Sequence, residues 1–352
     1  MNASPSVLFR CDGSPKVGLG HVVRCLALAD ELHEVHGCQV AFAMRDGPLG
    51  FEMVLEKGYA LVNAPQEPFN YTRWLMESFS DGPPQVLVLD VRDELTRADV
   101  EKLREQGNLI VVVDDISERR LAADLAFYPP VPQVRRLNWL GFTGQLYVGW
   151  DWVVLRREFA HCPPPAHHDP PTVLVSMGGS DPAGLTMVAV KALDSVNESF
   201  EVIVLLGPGF SHNEELRNMV AVSRRKFNMQ SDVADVMGLM ARADLAVASF
   251  GVTAYELAAV GTPAIYLCLT EDHAESASLF ADAGTGVNLG LYAEVSPERV
   301  SQSVGALLLD PALRRTMAGT GRSLVDGGGV ERIADILMRL SSHRLSKYAE
   351  RS

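Results

Sequence analysis

Residues 7–32 read VLFRCDGSPKVGLGHVVRCLALADEL. A short β-branched and aromatic run leads into a glycine-bearing loop and then into a helical stretch whose apolar residues recur at helical spacing. Strand, glycine loop and helix form the opening of a doubly wound α/β domain. A dinucleotide fingerprint would need a third glycine at position 23, where Val23 stands. Nor does an acidic residue lie at a second strand end about twenty residues on, so no NAD or FAD is expected. His21 sits where the helix begins. There the exposed N–H groups and the positive end of the helix dipole disfavour imidazolium. A neutral ring can take up a proton as a general base, and it can equally cap the helix by bonding to backbone. Both readings of His21 stand at this point.

The same grammar runs outward from this stretch. QVAFAM (39–44), QVLVLD (85–90) and NLIVVVD (108–114) are further strand-like runs, separated by helical stretches such as 94–106. Runs apolar nearly throughout are strands buried on both faces, as in a parallel sheet covered by helices. HCPPPAHHDPP (161–171) then places five prolines in eleven residues, which neither helix nor central strand tolerates. After it the pattern restarts with TVLVSM (172–177), GGSDPAG and LTMVAVKAL, followed by EVIVLL, DLAVAS and PAIYLC. The expected architecture is two Rossmann-like domains facing each other across a cleft, residues 1–160 and 172–340, joined by a proline-rich linker at 161–171. The final helical stretch from 330 is left without a fixed neighbour.

Composition narrows the function. The chain has 352 residues, 47% of them hydrophobic and 21% charged, an ordinary globular balance. A formal net charge of −13 argues against nucleic acid, which calls for a basic footprint. No apolar run approaches the roughly 18 residues that span a bilayer, and the N-terminus lacks a signal-peptide pattern. The cytoplasm is the default location. Five scattered cysteines with no C-x-x-C pair suggest reduced thiols rather than a disulfide framework or zinc site. No D-x-D sequence occurs, which argues against a metal-dependent, single-domain glycosyltransferase.

In doubly wound sheets ligands bind beyond the carboxyl ends of the strands, so the strand-end loops are the candidate sites. SMGGSD (176–181) offers Gly178 and Gly179 for close backbone approach and the Ser180 hydroxyl for an anion. A plain strand-to-helix turn also accounts for two glycines. SFGVTAYELAAVGTP (249–263) places Ser249, Phe250 and Gly251 at a strand end, Thr253 in the first helical turn and Glu256 one turn in. This suits a diphosphate on N–H groups with ribose hydroxyls on Glu256, although a first-turn acid also suits the helix dipole. CLTEDHAESA (268–277) brings Asp272 and His273, and VLDVRDE brings Asp90, Arg92 and Asp93. Arg92 suits a phosphate or sugar carboxylate, or a surface ion pair. VVDDIS adds Asp114 and Asp115 to the first domain's strand ends.

The runs VGLGHVVRCLALADEL, SMGGSDPAGLT and SFGVTAYELAAVGTPAIYL strongly resemble the UDP-sugar hydrolases of pseudaminic acid biosynthesis and the SpsG-like spore-coat polysaccharide proteins. These are related to the N-acetylglucosaminyltransferase of lipid II synthesis. The resemblance extends from about residue 6 to 340. It implies the two-domain GT-B fold, a UDP-sugar bound mainly by the second domain, no metal and no cofactor. His21 matches the catalytic histidine, with Gly18 and Gly20 as the loop that presents it to substrate. Gly178, Gly179, Ser180, Ser249, Phe250, Gly251, Thr253 and Glu256 match the nucleotide-binding loops.

There are departures. An Asp-His-Tyr-Gly motif is replaced by Asp90-Val91-Arg92-Asp93, and an Asn-Gln pair by Asp272-His273. Phe250 and Val252 also stand where the wider superfamily prefers glycine and serine. Arg92, Asp272 and His273 are therefore the expected substrate-contacting differences. The activity implied is cleavage of the anomeric C–O bond of a UDP-activated amino or deoxy sugar by water. An inverting transfer to a sugar hydroxyl is the alternative, and a non-catalytic nucleotide-sugar-binding protein a second. The sugar and the oligomeric state are left open.

Overall fold

The computed structural model describes residues 5–13, 18–79, 85–163 and 168–349, with side chains to 341. The chain divides into two units, Met1–Arg157 with Gly328–Ser352, and Glu158–Gly327. The first unit contains β1 (Ser6–Cys11), α1 (Gly20–Glu34), β2 (Gln39–Met44), α2 (Pro48–Glu56), β3 (Ala60–Asn63), α3 (Tyr71–Glu77), β4 (Val86–Asp90), α4 (Arg97–Glu105), β5 (Leu109–Val113), β6 (Leu125–Tyr128) and β7 (Gln145–Val148). Its strands form one seven-stranded sheet in the order β3-β2-β1-β4-β5-β6-β7, parallel throughout. The strand order reverses between β1 and β4. Cys11 pairs with Asp90 there, so the loops leaving both strands emerge side by side.

The second unit runs β8 (Thr172–Ser176), α5 (Leu185–Ser195), β9 (Glu201–Leu205), α6 (Asn213–Ala221), β10 (Phe227–Gln230), α7 (Val236–Ala241), β11 (Leu245–Ser249), α8 (Val252–Val260), β12 (Ala264–Cys268), α9 (Glu271–Asp282), β13 (Gly286–Leu291), α10 (Pro297–Leu309) and α11 (Pro311–Leu324). Its six parallel strands are ordered β10-β9-β8-β11-β12-β13, with the reversal between β8 and β11. The central strands β1, β4, β5, β8, β11 and β12 are buried almost throughout. Their apolar runs have a helix layer on each face to fill. All five cysteines are free and buried.

The domain boundaries differ from those expected. The change of unit falls at Arg157/Glu158, not after 160, and what is described of the 161–171 linker belongs to the second unit. Residues 164–167 of that linker lie outside the described residues, as do 14–17 of the first glycine loop. The last helix, α12 (Gly329–Ala349), belongs to the first unit rather than to a domain ending at 340. The reason is an apolar stripe: Val330, Ile333, Ala334, Ile336 and Leu337 are buried in the core that holds α1 residues Leu28 and Leu32. A stripe of this kind is driven onto whichever core can cover it, regardless of chain position. The short strands β3, β6, β7, β10 and β13 had no counterpart in the apolar pattern. β3, β7 and β10 lie at sheet edges and are partly or fully exposed along most of their length, which leaves too few apolar residues to read.

Candidate active site at the sheet switch points

In the first unit the strand ends converge on His21. Gly18 has a φ of +86° with open space beside it, a backbone state that glycine adopts without strain. The chain enters α1 at Gly20, and Leu19 at the N-cap makes no side-chain capping bond. His21 is therefore not fixed as an N-cap; its ring lies against the end of β4. Nδ1 stands 2.6 Å from Asp90 Oδ1, and the His21 side chain is 15% exposed against 1% for Asp90. An ionised carboxylate only accepts, so Nδ1–H donates and Nε2 carries the free lone pair. An Asp–His pair of this kind fixes the tautomer and orientation of a general base.

Asp90 is held in turn by Arg24, one helical turn beyond His21. Arg24 Nη2 donates to Asp90 Oδ1 at 2.5 Å and Nε to Oδ2, while Nη1 donates to Asp114 Oδ2 at 3.1 Å. The Cys25 thiol adds a donor at 3.7 Å from Asp90 Oδ2. Burial pushes the Asp90 carboxyl up, but the Arg24 guanidinium and the His21 ring outweigh it and hold it well below the usual carboxylate range.

A second network underlies the loop after β4. Asp93 accepts from Arg10 Nη2 at 2.8 Å, from the Tyr71 hydroxyl, from Arg119 Nη1 at 2.8 Å and from Leu95 N at 3.1 Å. Arg119 also donates to Asp115 Oδ2 at 2.5 Å and to the carbonyls of Val91 at 2.6 Å and Leu95 at 3.1 Å. Burial alone would raise the Asp93 carboxyl; Arg10, Tyr71 and Arg119 lower it on balance. Over this network opens a cavity of about 280 Å³, lined by Asp12, His21, Arg45, Asp46, Arg92 and Glu94 among others. Arg92 stands on its wall, 38% exposed, with Nη2 3.3 Å from the Asp114 carbonyl oxygen and 3.7 Å from its carboxylate. Of the residues expected to meet substrate, Gly18, Gly20, His21 and Arg92 thus share one corner of the first unit. The pairing of His21 with Asp90 and Arg24 was not read from sequence. The i, i+3 spacing of His21 and Arg24, which puts both on one helix face, was the available signal.

In the second unit the register Ser176–Ala248 sends the loops after β8 and β11 out together. Gly178 has a φ of +77°, and a Cβ there would lie 3.6 Å from Ser249 Oγ. The loop after β9 packs onto the same turn. A Cβ on Gly207 would come within 2.4 Å of the Gly178 and Gly179 carbonyl oxygens, and Gly209 N donates to Gly179 O at 2.8 Å. Asp181 caps α5, accepting from Leu185 N and Thr186 N at 2.8 Å each, and so anchors the turn that carries Ser180.

Gly251 is the N-cap of α8 and gives it no side-chain cap, and Gly251, Val252 and Thr253 are partly exposed. Its first N–H groups are thus offered to a ligand. Glu256, one turn in, is buried. Phe250 departs from expectation: its ring is buried among Tyr255, Tyr266, Phe280 and His273. Its side chain is core, and only its backbone lies at the strand end. Thr270 caps α9 by accepting from His273 N at 3.2 Å, leaving Asp272 and His273 in the first turn. These two residues belong to the second unit. Among the described residues no set of three or more His, Cys, Asp or Glu is arranged to hold a metal ion. No described helix is long and apolar enough to cross a membrane.

Residues 172–325 match the glycosyltransferase family 28 C-terminal domain. Over 334 residues the chain is 25% identical to the spore coat polysaccharide biosynthesis protein SpsG of Bacillus subtilis (strain 168), covering 94% of this chain and 96% of that protein. It is 30% identical over 210 residues to the UDP-N-acetylglucosamine–N-acetylmuramyl-(pentapeptide) pyrophosphoryl-undecaprenol N-acetylglucosamine transferase of Xanthomonas axonopodis pv. citri (strain 306). That match covers 56% of this chain and 49% of the transferase. The fold is shared with Acinetobacter baumannii MurG, at a TM-score of 0.67 and 16% identity over 95% of this chain and 99% of MurG.

Proposed function

For a chain related along its length to SpsG, and through its second unit to family 28 glycosyltransferases, we propose cleavage of the anomeric C–O bond of a UDP-activated amino or deoxy sugar in surface-polysaccharide synthesis. The observation that carries this reading is the His21–Asp90 pair at the β1/β4 switch point, which leaves Nε2 as an oriented base beside a polar cavity. His21 Nε2 takes a proton from water as the water oxygen attacks the anomeric carbon. The bond to the diphosphate breaks, and UDP departs with the electron pair. The charge it carries away is met by the N–H groups at the start of α8 and by the hydroxyls of Ser180, Ser249 and Thr253. Preorganised donors aimed at developing charge commonly supply the largest catalytic effect. The domain assignment follows the chemistry, with proton removal in the first unit and nucleotide binding in the second.

The test is UDP release from a panel of UDP-amino sugars, with and without sugar acceptors. Release without acceptor is expected. His21→Ala should lower it by about 10²–10⁴-fold while leaving UDP affinity, measured calorimetrically, unchanged. Release that requires an acceptor overturns hydrolysis in favour of inverting transfer. Binding without turnover of any donor reduces the chain to a nucleotide-sugar-binding protein.

A further inference from the structure

We infer that Arg24 is a positioning residue that allows His21 to act as a base, by serving as the counter-ion of Asp90 in place of the histidine ring. This rests on the reading of His21 given above. A buried carboxylate must be paired, and Asp90 has two cationic candidates within reach, Arg24 and a protonated His21. If the ring were the only partner, burial of Asp90 would demand imidazolium, which has no lone pair for a proton. Arg24 removes that demand. Its fork spans both oxygens of Asp90, a geometry open to arginine and closed to lysine.

Charge matching around the ring is consistent with this. Asp90 and Asp114 are faced by Arg24 and Arg92, a set already balanced with the ring neutral. Further out, Asp12 and Asp93 are met by Arg10, with Arg119 also on Asp93. Glu94 is met by Arg45, and Asp46 lies on the cavity rim. Arg24 Nη2 also lies 3.0 Å from His21 Nδ1. Since guanidinium only donates, Nδ1 could accept from it only by leaving its proton on Nε2. The contact to Asp90 is the shorter, at 2.6 Å, and a carboxylate can only accept, which decides for Nδ1–H.

The experiment is ¹⁵N NMR of the His21 ring in the full-length protein, its signal identified by loss in His21→Gln, together with the pH profile of UDP release. In Arg24→Met the charged ring should persist to a pH higher by about one unit or more, the size expected for removing a neighbouring charge. The acid limb of the rate profile should move with it. Arg24→Met/Asp90→Asn removes the demand along with the counter-ion and should return the ring toward wild-type titration. Arg24→Lys, which keeps the charge and is the safer variant for folding, should titrate near wild type and lose about tenfold in turnover through the lost fork. An unshifted ring in folded Arg24→Met overturns the inference. So does Arg24→Lys with full turnover, whether or not the methionine variant folds. The NMR readout needs no substrate. If it behaves as expected while wild type releases no UDP, it is the proposed reaction that fails and not the role of Arg24.

Discussion

At the residue scale, the candidate site is built from side chains that are short of water and rich in charge. Asp93 illustrates the energetics, since two buried arginines, a phenol and a backbone N–H converge on it. Removing one partner from such a cluster typically costs about 3–5 kcal/mol, because the remaining charge is left buried. Arg119→Met should therefore lose stability of that order in urea unfolding at neutral pH. The pH dependence has a definite sign. The Asp93 carboxyl is lower in the folded than in the unfolded chain, so its stabilisation is present above about pH 4, the unfolded value. It fades as pH falls further and the folded carboxyl is protonated. In Arg119→Met that depression is reduced, so the gap between variant and wild type should narrow below pH 4. A gap that stays constant would mean Arg119 acts only through its carbonyl bonds. His21 and Arg92 were legible as residues because Arg92 stands in a strand-end loop and His21 at the start of the helix that follows one. The partnership of His21 with Asp90 joins positions 69 residues apart and left no trace in local spacing.

At the scale of elements, the start of α8 is where backbone geometry and binding separate. Gly251 has an extended φ of 168°, and a Cβ there would meet nothing within 4 Å. Gly251→Ala should fold and melt like wild type. By crowding the first N–H groups of α8 it should weaken UDP binding about tenfold, the equivalent of one charge-assisted hydrogen bond. A calorimetric affinity equal to wild type would remove α8 from the nucleotide site. Gly207→Ala is the contrasting case, because its Cβ would collide with two backbone carbonyls. It should lower both melting temperature and affinity. The glycine turns at 178–179 and 251 were readable from composition. The loop after β9 was not, since its role lies in the close approach of Gly207 to a turn nearly thirty residues earlier in the chain.

At the scale of the whole molecule, the first unit is completed by a helix from the far end of the chain. Ile333 is fully buried in the core of that unit. Ile333→Ala should cost about 2–5 kcal/mol, and hydrogen exchange should show the loosening in β1 and α1 while β8 and β11 keep their protection. Loosening confined to the second unit would place α12 where its sequence position suggested. The sequence by itself determined the two strand–loop–helix openings, the parallel sheets and the strand-end loops. Those features are carried by local periodicity and by glycine, which act over a few residues. Only the tertiary structure decided which unit owns α12, that Phe250 belongs to a core, and that His21 is coupled to Asp90 and Arg24. Strand order and helix docking are set by which apolar faces can be buried together, and burial then forces distant charges into pairs. That choice is made among surfaces far apart in the chain, where no short stretch of residues records it.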